Sequence, residues 1–177
     1  MYPCLPVVRG LILVVALWCF TQPILAGNND SSGADSREDL DRLPVFSLPD
    51  LDGKPVSSRL WENKILVLNF WASWCGSCLK EMPELVALEQ AFAPRGIKVI
   101  GIAIDEPDPV RRFVKYYGIN YLVLVDQEAA YQLAKRLGNH SGGIPFTAII
   151  DATGHVRYIH EGTVDRSTLN AIIIGLL

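Results

Sequence analysis

Phe70-Trp71-Ala72-Ser73-Trp74-Cys75-Gly76-Ser77-Cys78 joins two stretches of opposite character. Before it, Ile65-Leu66-Val67-Leu68-Asn69 is a short apolar run that predicts a buried strand. After it, Leu79 to Ala93 predicts a helix, with Leu79, Met82, Leu85, Val86, Leu88 and Phe92 as a broad apolar stripe. Pro83 is expected to kink that helix, because it removes the backbone bond to Leu79. Two cysteines therefore sit where a strand feeds a helix. Amides at a helix start point outward and carry partial positive charge, which favours a thiolate. Such sites pull a cysteine pKa from roughly 8.5 into the range of about 3.5 to 7.5. The Gly76-Ser77 spacer lets Cys78 fall one turn behind Cys75, close enough to form a small disulfide or to resolve a mixed one.

Trp-Cys-Gly-Ser-Cys after an apolar strand is similar to the thioredoxin active site. The residues that follow, Leu79-Lys80-Glu81-Met82-Pro83, narrow the likeness. Cys-x-x-Cys-x-x-Glu-x-Pro resembles the TlpA/ResA branch, the extracytoplasmic thioredoxin-like thiol-disulfide oxidoreductases. The resemblance runs from about Pro44 to the C-terminus. It implies an α/β thioredoxin fold: a central mixed β-sheet flanked by helices, with an N-terminal β-hairpin extension. It also implies an inserted strand-helix segment around Asp105 to Val125 that thioredoxin lacks.

Length and composition agree with one such domain. The 177 residues allow a single domain plus a leader, and half are hydrophobic, enough for a full core. A net charge of −3 gives no reason to expect nucleic acid or an anionic membrane as partner. Of four cysteines, Cys4 and Cys19 lie in the first 26 residues. The remaining pair is too few for a disulfide-stapled scaffold or a four-cysteine zinc site.

Residues 1–26 read as a signal peptide or membrane anchor. Arg9 is the only charged side chain there, Leu11 to Phe20 is unbroken apolar, and Ile24-Leu25-Ala26 ends on a small residue. Trp18 before Cys19 argues against lipid attachment. Either reading exports the domain to a periplasmic or other extracytoplasmic space, where cysteines are normally oxidised. Residues 27–42 read as a flexible polar linker, and residues 43–177 as the domain.

Along the domain, Val45 to Leu48 and Lys54 to Val56 flank an Asp52-Gly53 turn as a hairpin, with Trp61 a packing residue. Lys98 to Ile104 and Leu122 to Val125 read as strands. Pro109 to Tyr117, capped by Asp108, and Ala129 to Leu137 read as helices. This alternation implies a parallel sheet covered by helices. Ala148-Ile149-Ile150 and His155 to His160 form strands around an Asp151 to Gly154 turn. Ser167 to Gly175 closes the chain as a helix capped by Asp165 or Ser167.

Glu81 lies three residues after Cys78, on the same helical side. It is either a solvated surface acid or a carboxylate that takes and returns a sulfur's proton. The resemblance favours the second. Thioredoxin has a buried Asp where this chain has Asn69, which cannot titrate, so Glu81 would substitute for it. Gly142-Gly143-Ile144-Pro145-Phe146-Thr147 is the second motif. By resemblance Pro145 is the cis-proline facing the cysteines, exposing the Ile144 backbone for strand-like pairing with a client. An ordinary loop proline is the alternative. Trp74 either shields the sulfurs and shapes a docking face or is simply packing. His155 and His160 should face opposite sides of an unbroken strand and are poor joint metal ligands. His140 reads as a surface-loop residue.

The expected chemistry has Cys75 as attacking thiolate, Cys78 as resolving thiol and Glu81 in proton transfer. No organic cofactor or metal is required. The resemblance implies a reductase of client proteins with cysteine pairs, recharged by a membrane electron donor. Apocytochrome c and copper-site cysteines are candidate clients, although the Gly-Ala-Pro-Glu loop of the cytochrome-maturation subgroup is absent from the sequence. Two alternatives stand beside it. One is a copper-handling module, since soft thiolates hold Cu(I). The other is a thiol peroxidase, which would want Thr where Ala72 stands.

Overall fold

Residues 65–71 alternate between two apolar environments, and this alternation organises the domain. The computed structural model describes residues 41–177. The expected leader (1–26) and all but the last two residues of the linker lie outside the described residues. Strand β3 (Ile65–Trp71) is buried along its whole length. Successive side chains of a strand point to opposite faces. Leu66, Leu68 and Phe70 enter one core, while Ile65, Val67 and Trp71 enter the other. Asn69 therefore shares the face of Val67 and Trp71.

Around β3 the sheet runs β5-β4-β3-β6-β7, with β4 (Ile97–Ala103), β5 (Leu122–Val125), β6 (Phe146–Ile150) and β7 (Val156–Glu161). β4 and β5 run parallel to the centre, whereas β6 and β7 are antiparallel, so the sheet is mixed. One face packs against α1 (Met82–Phe92), α2 (Pro107–Tyr117) and α4 (Arg166–Leu176), through Leu85, Leu88, Phe113, Leu169 and Ile173. The other packs against α3 (Glu128–Arg136) and the hairpin β1 (Ser47–Pro49) and β2 (Pro55–Ser57), with Leu48, Leu133 and Phe146 in its core. An Asp50–Leu124 bridge lays the hairpin on edge strand β5, covering backbone groups that would otherwise be open.

Three local expectations need correction. Pro83 does not kink a helix begun at Leu79. The chain winds as a 3₁₀ turn over Cys78–Lys80, and α1 starts at Met82 with Pro83 in its first turn. A missing N–H costs nothing there, because first-turn amides have no intrahelical partner. Asp108 is not the cap of α2. The helix begins at Pro107 after Glu106 and tolerates both Pro107 and Pro109 in its first turn. His155 precedes β7 and bonds its ring to Thr153 Oγ1 in the turn, at 2.8 Å. Asp165 does cap the last helix, accepting from Thr168 N–H at 2.9 Å.

Gly101 in β4 lies opposite Asn69. A Cβ there would come within 2.9 Å of Trp71 Nε1 and 3.0 Å of a Tyr121 ring carbon. Both aromatic side chains are buried in the core beneath the site. Gly101→Ala is therefore expected to destabilise the domain by about 1–3 kcal/mol, read as a lower urea midpoint with an unchanged slope.

Candidate active site

The end of β3 presents the cysteines, and β4 holds it in place. Ile104 N–H donates to Trp71 O at 2.8 Å. Asp105, buried just past β4, accepts from both Ser73 N–H at 2.8 Å and Ser73 Oγ at 2.6 Å. Three hydrogen bonds with the neighbouring residues Ile104 and Asp105 thus fasten the loop immediately before Trp74. Sequence reading missed this role, because Asp105 also looks like one more polar residue in an Asp-Glu-Pro turn cluster.

Cys75 and Cys78 form a disulfide with their Cα atoms 5.4 Å apart. Cys78 is fully buried and Cys75 retains 6% exposure, so the first cysteine is the one a visitor reaches. The expected helix-start environment takes a more local form than a long helix dipole. α1 begins four residues beyond Cys78, and the amide that reaches the first sulfur is Cys78 N–H, 3.2 Å from Cys75 Sγ. The Ser77 hydroxyl lies 3.4 Å from the same sulfur. Donors aimed at sulfur favour its charged form.

Across from the sulfurs, the Ile144–Pro145 bond is cis, and Ile144 O lies 3.8 Å from Cys75 Sγ. Asn139, fully buried, shapes the approach to this loop. Its amide donates to Gly143 O at 2.9 Å and accepts from Gly142 N–H at 3.0 Å. Nothing in the linear pattern marked Asn139. Trp74 is 71% exposed beside Cys75, so it is not a core packing residue.

Glu81 is buried rather than solvated. Asn69 Nδ2 donates to its Oε1 at 2.7 Å, and Val164 N–H donates to its Oε2 at 3.1 Å. Asn69 Nδ2 also lies 3.0 Å from Thr147 Oγ1. Burial pushes the Glu81 carboxyl above its ordinary range, and the Asn69 and Val164 donors and the His160 charge oppose that rise only in part. Tyr121 is raised too, by burial first and then by the Glu81 charge, while its hydroxyl lies against Met82 Sδ. The position matching thioredoxin's acid is thus a neutral donor that holds Glu81.

Cys75, Cys78, Trp74, Ile144 and Pro145 come together at the C-terminal end of β3. Glu81 sits inside, joined to Cys78 by its own N–H on Cys78 O at 3.3 Å. His140 is exposed. A cavity of about 710 Å³ lined by Arg59, Trp61, Lys64 and Arg136 lies at the other end of β3, away from the sulfurs. Among the described residues, no cluster of three His, Cys, Asp or Glu side chains could hold a metal ion.

Comparison with known proteins agrees with this geometry. Thiol-disulfide oxidoreductase ResA of Bacillus thuringiensis is 34% identical over 115 residues. That match covers 64% of this chain and 64% of the relative, slightly under two thirds of its length. ResA of Bacillus subtilis is 28% identical over 167 residues, covering 90% of this chain and 85% of the relative. The crystal structure of a thiol:disulfide interchange protein of the thioredoxin family from Chlorobium tepidum superposes with a TM-score of 0.67. It is 31% identical and covers 76% of this chain and 94% of that one. The mixed sheet, its helices and its hairpin form the thioredoxin fold that the resemblance implied. The Redoxin family model matches residues 39–173, and with its dithiol and fold in place the chain belongs to the Redoxin family.

Proposed function

We propose that this chain is a thiol-disulfide oxidoreductase that reduces client protein disulfides outside the cytoplasm. The observation that carries the reading is the Cys75–Cys78 disulfide, its first sulfur beside the exposed Trp74 and the Ile144 carbonyl. In the reduced enzyme the Cys75 thiolate attacks one sulfur of a client disulfide. A Cys75–client bond forms, and the other client sulfur leaves as a thiolate. Cys78, having lost its proton, then attacks Cys75. The enzyme disulfide closes and the client leaves with two thiols. Glu81 is the group that takes the Cys78 proton and returns it when two electrons reopen the disulfide.

A membrane electron donor supplies those electrons, and the N-terminal segment is either cleaved or a tether. Among the described residues no helix is long and apolar enough to cross a membrane. Apocytochrome c and copper-site cysteines are the candidate client chemistries. A redox titration of the purified protein against dithiol buffers tests the reading. A strongly negative potential with turnover of insulin disulfides supports it. Tight Cu(I) uptake without turnover, or peroxide consumption, would replace it with one of the two alternatives.

Trp74 supplies a separate check. A large exposed aromatic beside the reacting sulfur is the type of side chain that anchors a partner. Trp74→Ala should raise KM for a protein client by about tenfold or more while leaving exchange with dithiothreitol little changed. Steady-state kinetics with both substrates distinguish docking from chemistry.

A further inference from the structure

The turn between β7 and α4 touches both halves of the site. Gly162 N–H donates to Pro145 O at 2.8 Å, on the loop that faces the sulfurs. Two residues later, Val164 N–H donates to Glu81 Oε2. Between them Thr163 presents its carbonyl to His160 Nε2 at 3.1 Å. His160 is half-buried on β7, opposite Thr147, whose hydroxyl lies against the Asn69 amide that also holds Glu81. Tyr158 stacks near the same ring, with interplanar angle 5°. Gly162 has φ +99°, a left-handed conformation that suits glycine, and Asp165 begins the α4 cap. Between β7 and that cap lie only Gly162, Thr163 and Val164, and the side chain from β7 that bonds to the backbone of this span is His160.

We propose that His160 is a positioning residue for Glu81. Its ring N–H holds the Thr163 carbonyl and so aims Val164 N–H at the carboxylate, tying the acid to the client-facing Pro145 loop through one short turn. The inference rests on the reading of Glu81 as the proton-handling group and adds what sets its orientation. Thr163 O needs a donor from the ring, so Nε2 carries the hydrogen. The titratable groups that face Glu81 are His160 from β7 and Tyr121 from the segment before β5; Cys78 meets it through its backbone carbonyl, and Asn69 and Thr147 are neutral. Without the His160 bond the turn relaxes, Glu81 loses a donor to its charged form, and that form becomes harder to reach.

The test is a ¹³C carboxylate NMR titration of Glu81 in the full-length oxidised protein, where neither Cys75 nor Cys78 titrates. His160→Leu should move the Glu81 midpoint up by about one pH unit, the size of one lost hydrogen bond to a charge. It should also speed hydrogen exchange at Val164 N–H. His160→Gln places an amide N–H near the ring Nε2 position without a positive charge, and should restore both readouts. An unchanged midpoint in His160→Leu would overturn the proposal. So would a His160→Gln midpoint as displaced as that of His160→Leu, since the coupling would then be imidazolium charge rather than positioning. The role of Glu81 itself is read separately from the pH-rate profile of Glu81→Gln. If that profile matches wild type while His160→Leu still shifts the carboxylate, the positioning stands and the proton-transfer reading fails.

Discussion

Cys75→Ser protein should show no disulfide exchange above the uncatalysed background, whereas Cys78→Ser should attack normally and then stall. The difference follows from burial and order. Cys75 is the sulfur with residual exposure, and the Cys78 N–H and Ser77 hydroxyl lie around it. An alcohol at that position has no accessible anion near neutral pH, so the nucleophile is lost outright. Cys78 has no exposure and can act only on the Cys75 sulfur, once that sulfur is joined to the client. Removing it leaves the first step intact and blocks the second, so a Cys75–client disulfide accumulates. Non-reducing gels after incubation with a client, alongside insulin-reduction rates, read both effects. Full-speed turnover by either variant would remove the basis of the proposed function.

Glu81→Gln should slow turnover by about 10²-fold and flatten its pH dependence. The carboxyl is buried, held by the Asn69 amide and the Val164 N–H, and linked through its backbone to Cys78. Its pKa is raised from the ordinary 4.5, with burial the main cause. A raised value keeps the proton available nearer neutral pH, which is what a group exchanging protons with a thiol requires. The same shift fixes the sign of a stability effect. Below about pH 4.5 the carboxyl is protonated folded or unfolded, and its contribution is fully present. As pH rises through the raised folded value, the unfolded chain ionises more readily, and that stability is lost. Wild type should therefore lose stability over this window, and Glu81→Gln should lose less. Urea midpoints at several pH values check the slope, and stopped-flow exchange rates check the chemistry. A wild-type slope in the variant would mean that another buried group titrates.

Much of the fold was legible because its signals are local. The apolar run into β3, the Gly-closed helices and the Asp151–Gly154 turn each carry a periodicity or turn chemistry of their own. Leu122–Val125 begins and ends where the pattern placed it. Misreadings fell at boundaries where two local rules compete. Pro83 can break a helix or begin one, and the tight Cys78–Lys80 turn decided for the second. Pro107 and Pro109 posed the same choice for α2, with the same outcome.

By itself the sequence determined the dithiol, the apolar strand that leads into it and the turn chemistry around Asp151 to Gly154. Each depends on spacings within a dozen residues. Whether Glu81 is a surface acid or a buried one was decided only by tertiary structure. Its partners Asn69 and Val164 lie 12 and 83 residues away, and Asn69 reaches 78 residues further to Thr147. Asp105 on Ser73 and Gly162 on Pro145 belong to the same class. No periodicity encodes such contacts, because strand order and register, not local propensity, decide which distant polar groups are buried together and must satisfy one another.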